Sequence, residues 1–181
     1  MARALLLIDI QNDYFAGGAM TLVGMEQAAD NAARVLAAFR QRGEPLFHVQ
    51  HLAARKEAGF FLPGTAGADI NPRVLPATGE SLTTKHYPNA FRDTPLADTL
   101  RGQDIDELIV VGAMSHMCID ASTRAAFDLG FTCTVVEDAC ATRDLSFGDK
   151  IIQANDVHGA FMAALGSVYA RLTTTQDLLR G

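Results

Sequence analysis

Between residues 4 and 172 the chain alternates short unbroken apolar runs with longer stretches of helical period, and no hairpin signal joins one run to the next. Residues 4–10 form such a run. It is continuous rather than alternating, as in a parallel strand covered on both faces. Over residues 25–42, Met25, Ala28, Ala32, Val35, Leu36 and Phe39 fall on one helical face, and Gly43 and Pro45 end the stretch. Residues 45–50 are a second strand and residues 81–85 a short third. A helix is expected over 95–101 with Thr94 as its N-cap. Strand 107–111, ending at Gly112, precedes helix 118–129, closed by Gly130. Strand 131–136, helix 155–165, closed by Gly166, and strand 168–172 complete the series.

Strands alternating with helices, linked by right-handed crossovers, predict an α/β fold with three layers, α/β/α. The expected sheet is Rossmann-like, doubly wound and mainly parallel, with about six strands. A length of 181 residues suits one domain spanning 1–181. Residues 52–80 interrupt the pattern with Gly59, Pro63, Gly64, Gly67, Pro72, Pro76 and Gly79, so a long loop of functional character is expected there.

Ligands of such sheets sit outside the carboxyl ends of the strands. Asp9 ends the first run, Lys85 ends the short strand, and Cys118 follows the strand that stops at Gly112. The topology brings all three to one rim. A cysteine opening a helix gains thiolate character from the helix dipole and from a nearby ammonium. A carboxylate beside it takes the thiol proton and returns it to a leaving amine. The loop 112–117 supplies backbone N–H groups for an oxyanion.

The net charge of −6 and the lack of a Lys/Arg cluster argue against a nucleic-acid partner. No apolar run reaches the roughly 20 residues of a membrane span. The apolar start is broken at Asp9 without a cleavage site, so it reads as a strand and not as a signal peptide. Three cysteines without CxxC spacing suit a reducing compartment, and a cytoplasmic location is expected. Cys133 and Cys140 read as packing.

Four stretches carry a resemblance along nearly the whole chain: LLLIDIQNDYF, TKHYPNAFRDTPL, VGAMSHMCIDASTRAAFDLGF and VVEDACATRDL. They resemble the isochorismatase-like, or cysteine hydrolase, superfamily, in a form most similar to streptothricin-hydrolase-type and uncharacterised bacterial amidases. The resemblance implies a catalytic triad of Asp9, Lys85 and Cys118. It also implies a cis peptide at Ala113–Met114, with the N–H groups of Met114 and Cys118 as the oxyanion hole. The implied activity is hydrolysis of a small-molecule C–N bond (amide, imide, carbamoyl or ureido) through a thioester, in a homodimer or homotetramer. Alternatives are an isochorismatase-type or ester hydrolase at the same site, and a non-catalytic small-molecule-binding module with a redox-sensitive thiol.

Nicotinamidases of this superfamily carry a D-x-H…H metal site after strand two. Here the stretch reads His48-Val49-Gln50-His51-Leu52, and residues three apart in a strand face opposite ways. No catalytic metal and no cofactor are expected. Tyr14, Phe60, Phe61, Tyr87, Asn89 and His116 are candidates for the substrate pocket, and residues 147–149 for a turn over the rim acting as a lid. Arg124 and Arg143 are expected in structural ion pairs.

Overall fold

The computed structural model describes residues 2–180, so the two ends of the expected 1–181 domain lie outside the described residues. The order is β1 (Ala2–Ile8), α1 (Met25–Arg42), β2 (Leu46–His51), β3 (Ser81–Lys85), α2 (Leu96–Arg101), β4 (Ile105–Ala113), α3 (Asp120–Asp128), β5 (Thr132–Ala141), β6 (Leu145–Phe147), β7 (Lys150–Ile152), α4 (Ala154–Val168), β8 (Arg171–Thr173) and α5 (Thr175–Arg180). Six strands form one sheet in the order β3-β2-β1-β4-β5-β8, every neighbouring pair parallel. The strand order reverses between β1 and β4, which is where a doubly wound sheet opens a crevice.

Period-two geometry splits each central strand between two cores. Leu5 and Leu7 of β1 face α1 and α5, together with Ile109 and Val111 of β4. Ala4, Leu6 and Ile8 face the other way, toward Leu96 and Leu100 of α2, Ala126 of α3, and Met162 and Leu165 of α4. Burial on both faces explains why these strands read as continuous apolar runs. Helix α1 ends where Gly43 turns left-handed at φ 65°, its N–H reaching the carbonyls of Arg40 and Phe39.

Several elements depart from the sequence expectation. Helix α4 runs through Gly166 to Val168, with Leu172 of β8 packed over the glycine. Strand β5 continues past Val136 to Ala141, and α5 follows β8. Pro95 caps α2, and the Thr94 hydroxyl donates back to the Ala90 carbonyl at 2.6 Å. The expected turn at 147–149 is the tip of an antiparallel hairpin, β6–β7, whose Phe147 and Ile151 are exposed. The long loop is held by short 3-10 turns at Lys56–Ala58, Ala66–Ala68 and Pro72–Val74.

Away from the rim, Glu80 joins the loop to α1 and β2. It accepts from Arg40 Nε at 2.7 Å and from Ala77 N at 2.9 Å, and it lies 2.9 Å from His48 Nε2. The Arg40 guanidinium, helped by the Ala77 N–H and against partial burial, holds the Glu80 carboxyl down at about 2. A carboxyl depressed on folding stabilises the fold fully above its unfolded pKa of 4.5, and that stability is lost as pH falls toward about 2. Glu80→Gln is therefore expected to weaken the fold near neutrality by about 1 kcal/mol, since solvent screens the pair. Its urea midpoint should also fall less than the parent's between neutral pH and pH 3. Equal acid sensitivity of parent and variant would discount the Glu80 network.

Candidate active site

Four adjacent strands, β3-β2-β1-β4, end at one rim, and each brings one polar side chain to the same point. Asp9 follows β1, with φ 54° and its N–H donating to Val49 O at 3.0 Å. His51 is the last residue of β2 and lies in register with Lys85, the last of β3. Cys118 follows β4. Asp9, Lys85 and Cys118 are buried, and His51 is half-buried.

Gly112 of β4 makes this convergence possible. Its φ is 129°, and a Cβ there would stand 1.9 Å from the Ile8 carbonyl oxygen, so only glycine lets β4 pass so close to β1 just before Asp9. The Ala113–Met114 peptide that follows is cis. Ser115 then ties the loop to the scaffold: its hydroxyl donates to Ala141 O at 3.3 Å and lies 2.8 Å from His158 Nδ1 of α4.

Lys85 Nζ is the hub. It donates to His51 Nδ1 at 2.8 Å, to Tyr87 O at 3.0 Å and to Cys118 Sγ at 3.3 Å, and it forms an ion pair with Asp9 Oδ2 at 2.7 Å. Neither Asp9 oxygen has a well-directed hydrogen bond among the described residues, so the pair is held by charge. The ligating atoms of Asp9, His51 and Cys118 lie within 4.8 Å of one another. Burial drives the Lys85 pKa down, but the Asp9 carboxylate and the Cys118 sulfur outweigh it and raise it above the ordinary value. The group is an ammonium.

For Cys118 the balance runs against the sequence expectation. Burial, then the Asp9 carboxylate, push the thiol well above its ordinary pKa, and Lys85 only partly opposes them. Cys118 also does not open an α-helix. It sits inside a π-helical turn, Ser115–Ile119, and α3 begins at Asp120. The resting group is a thiol beside a carboxylate able to accept its proton, not a free thiolate.

An oxygen, a nitrogen and a sulfur this close form a donor set of the kind that holds a soft divalent cation. Here the Lys85 ammonium touches all three donors, at 2.7, 2.8 and 3.3 Å. Its charge repels a second cation and its protons occupy the lone pairs of His51 Nδ1 and Cys118 Sγ, so the residues do not fit a resident metal. His48 takes no part: it is buried and paired with Glu80.

The other candidate residues divide. A cavity of about 630 Å³ opens beside His51 and is lined in part by Phe60, His86 and Tyr87. Phe61 and Tyr14 do not line it; they are buried in the core with ring centroids 4.6 Å apart. Burial, then the negative charge that Cys118 would carry once ionised and that of Asp9, raise the Tyr14 pKa well above its ordinary value, so its hydroxyl stays neutral. Asn89 is spent on its own turn, accepting from Phe91 N at 2.9 Å. His116 is tied down too, 2.6 Å from Thr142 Oγ1. Arg124 pairs with Asp120, as sequence suggests, at 2.9 Å. Arg143 differs: it has no ion pair among the described residues, and its charge is felt by Tyr14 and His116.

His51 was the residue missed. Read along the strand it is half of an i, i+3 histidine pair. Read across strands, it is the terminal residue of β2 beside the terminal residue of β3.

An isochorismatase-domain model matches residues 3–177 of the chain. The uncharacterised isochorismatase family protein YddQ of Bacillus subtilis is 51% identical over 180 residues, covering 99% of this chain and 100% of that one. The nicotinamidase of Escherichia coli is 30% identical over 213 residues, covering 97% and 96%. A crystal structure of an isochorismatase from Pseudomonas putida KT2440 superposes with a TM-score of 0.91 at 39% identity, covering 97% and 89%.

Proposed function

Since the chain belongs to the isochorismatase family, whose members are hydrolases, we propose that it opens a small-molecule C–N bond through a thioester on Cys118. The observation that carries this reading is the buried hub: one ammonium in contact with both a carboxylate and a sulfur. Asp9 takes the Cys118 proton as the sulfur attacks an amide, imide, carbamoyl or ureido carbon. Lys85 lowers the cost of the developing thiolate. The N–H groups of Met114 and Cys118 receive the oxyanion, each donor being worth roughly 10²–10³ in rate. Asp9 then protonates the departing amine, and water resolves the thioester by the reverse route.

A raised thiol pKa suits this sequence of events. Proton transfer coupled to attack needs a thiol within reach of a base, and the fold provides one. The relation to a nicotinamidase supports amide chemistry. The departure from the D-x-H metal pattern argues for a substrate other than nicotinamide. Arg143, whose charge is felt by Tyr14 and His116, offers a counter-charge to an anionic substituent.

The test is a panel of small amides, carbamoyl and ureido compounds, assayed for ammonia or amine release with rapid acid quench and peptide mass mapping. At least one compound should release amine and leave an acyl adduct on the Cys118 peptide. Release without any adduct there would assign the chemistry elsewhere, and no release from the panel would remove the C–N class.

A further inference from the structure

An ammonium has three protons and no lone pair. Lys85 directs bonds at His51 Nδ1, Tyr87 O and Cys118 Sγ, with Asp9 Oδ2 a fourth neighbour at 2.7 Å, and it can accept from none of them. His51 Nδ1 must therefore accept, which leaves the neutral ring's proton on Nε2. That ring is held firmly. Its backbone N–H donates to Gln11 Oε1 at 2.8 Å, its carbonyl accepts from Gln11 Nε2 at 2.9 Å, and Phe61 lies 5.9 Å away, centroid to centroid. Burial first, then the Lys85 charge, with His86 adding to them and Asp9 opposing, bring the His51 pKa to about 4. The ring is thus uncharged at neutral pH. Among the described residues no group bonds to Nε2, and His51 lines the 630 Å³ cavity.

We propose that His51 is the site's fourth member: Nδ1 positions the Lys85 ammonium between Asp9 and Cys118, and the Nε2–H is the donor that an acceptor atom of the substrate meets in the cavity. The substrate class narrows accordingly to C–N compounds carrying an oxygen acceptor beside the scissile carbonyl, as acyl, carbamoyl or carboxylate substituents do. This inference rests on the Asp9–Lys85–Cys118 reading for what the positioned ammonium does. The hydrogen bond itself does not depend on that reading.

Two measurements test it on the intact chain. In ¹⁵N-histidine-labelled protein, long-range ¹H–¹⁵N correlation spectra should show His51 protonated at Nε2 and bare at Nδ1; the Nδ1–H tautomer would overturn the proposal. The second is the rate of Cys118 alkylation by iodoacetamide. His51→Asn retains an acceptor near Nδ1 and should label within a few-fold of the parent. His51→Leu removes it and should label about ten- to a hundredfold more slowly, the worth of a hydrogen bond to a charged group. Equal rates for the two variants would end the positioning role, and melting curves identify a variant that has not folded. With a compound that the parent turns over, His51→Asn should raise KM more than it lowers kcat; an unchanged KM would remove the donor role. Failure of the panel to react leaves the tautomer and labelling results standing, so the two readings fail separately.

Discussion

Cys118→Ala is expected to lower C–N bond hydrolysis on the order of 10⁴- to 10⁶-fold, with the fold intact. The sulfur is buried but small, and losing it removes no charge and one weak hydrogen bond. Asp9→Asn should cost a comparable factor by a different route, because the amide cannot take the thiol proton. Members of a unit that acts together are not additive, so the double variant should be scarcely worse than either single one. Initial rates on the best compound of the panel measure all three. A Cys118→Ala protein working at the parent rate would take the sulfur out of the chemistry.

The second large effect is on stability. Lys85→Met replaces a fully buried ammonium with an apolar chain of similar length and leaves the Asp9 carboxylate without its counter-ion. Breaking a buried pair in this way costs about 3–5 kcal/mol, or a fall in melting temperature on the order of 10 °C for a chain of this size. Adding Asp9→Asn to Lys85→Met should return much of that loss, since both charges are then gone, while activity stays absent. If the double variant melts below Lys85→Met, the destabilisation has a source other than the stranded carboxylate. The sign with pH follows from the raised Lys85 pKa. Its contribution is complete below the unfolded value of 10.5 and disappears as pH climbs through the folded one. The gap in stability between parent and double variant should therefore be widest near neutral pH and narrow as the solution is made alkaline.

What was legible in the sequence follows from what each signal measures. Doubly buried strands write themselves as apolar runs, so β1 and the centre of β4 could be placed, and the amphipathic stripe of α1 gave its bounds through Gly43. The strands of the β6–β7 hairpin have three residues each, too few for alternation to register. Gly166 looked like a stop because glycine often ends helices, yet α4 continues through it, and Leu172 packs where a Cβ at that position would stand. Site residues at strand ends could be placed by topology. The protonation of Cys118 could not, because burial is a property of the assembled fold, and the dipole argument assumed an α-helical start where a π-turn stands. His51 was hidden for a related reason: its partner is 34 residues away, and only the β2–β3 register makes them neighbours.

The missing side chain at Gly112 has an implication for anyone wishing to retarget this enzyme. Asp9 and Cys118 hang on two chain segments that touch backbone to backbone, with no intervening atom to serve as a shim. Their spacing is consequently out of reach of gradual tuning by mutation: one added methyl is already too many. The cavity wall at Phe60, His86 and Tyr87 has no such restriction, and altered selectivity should be sought by randomising that wall while position 112 is left alone.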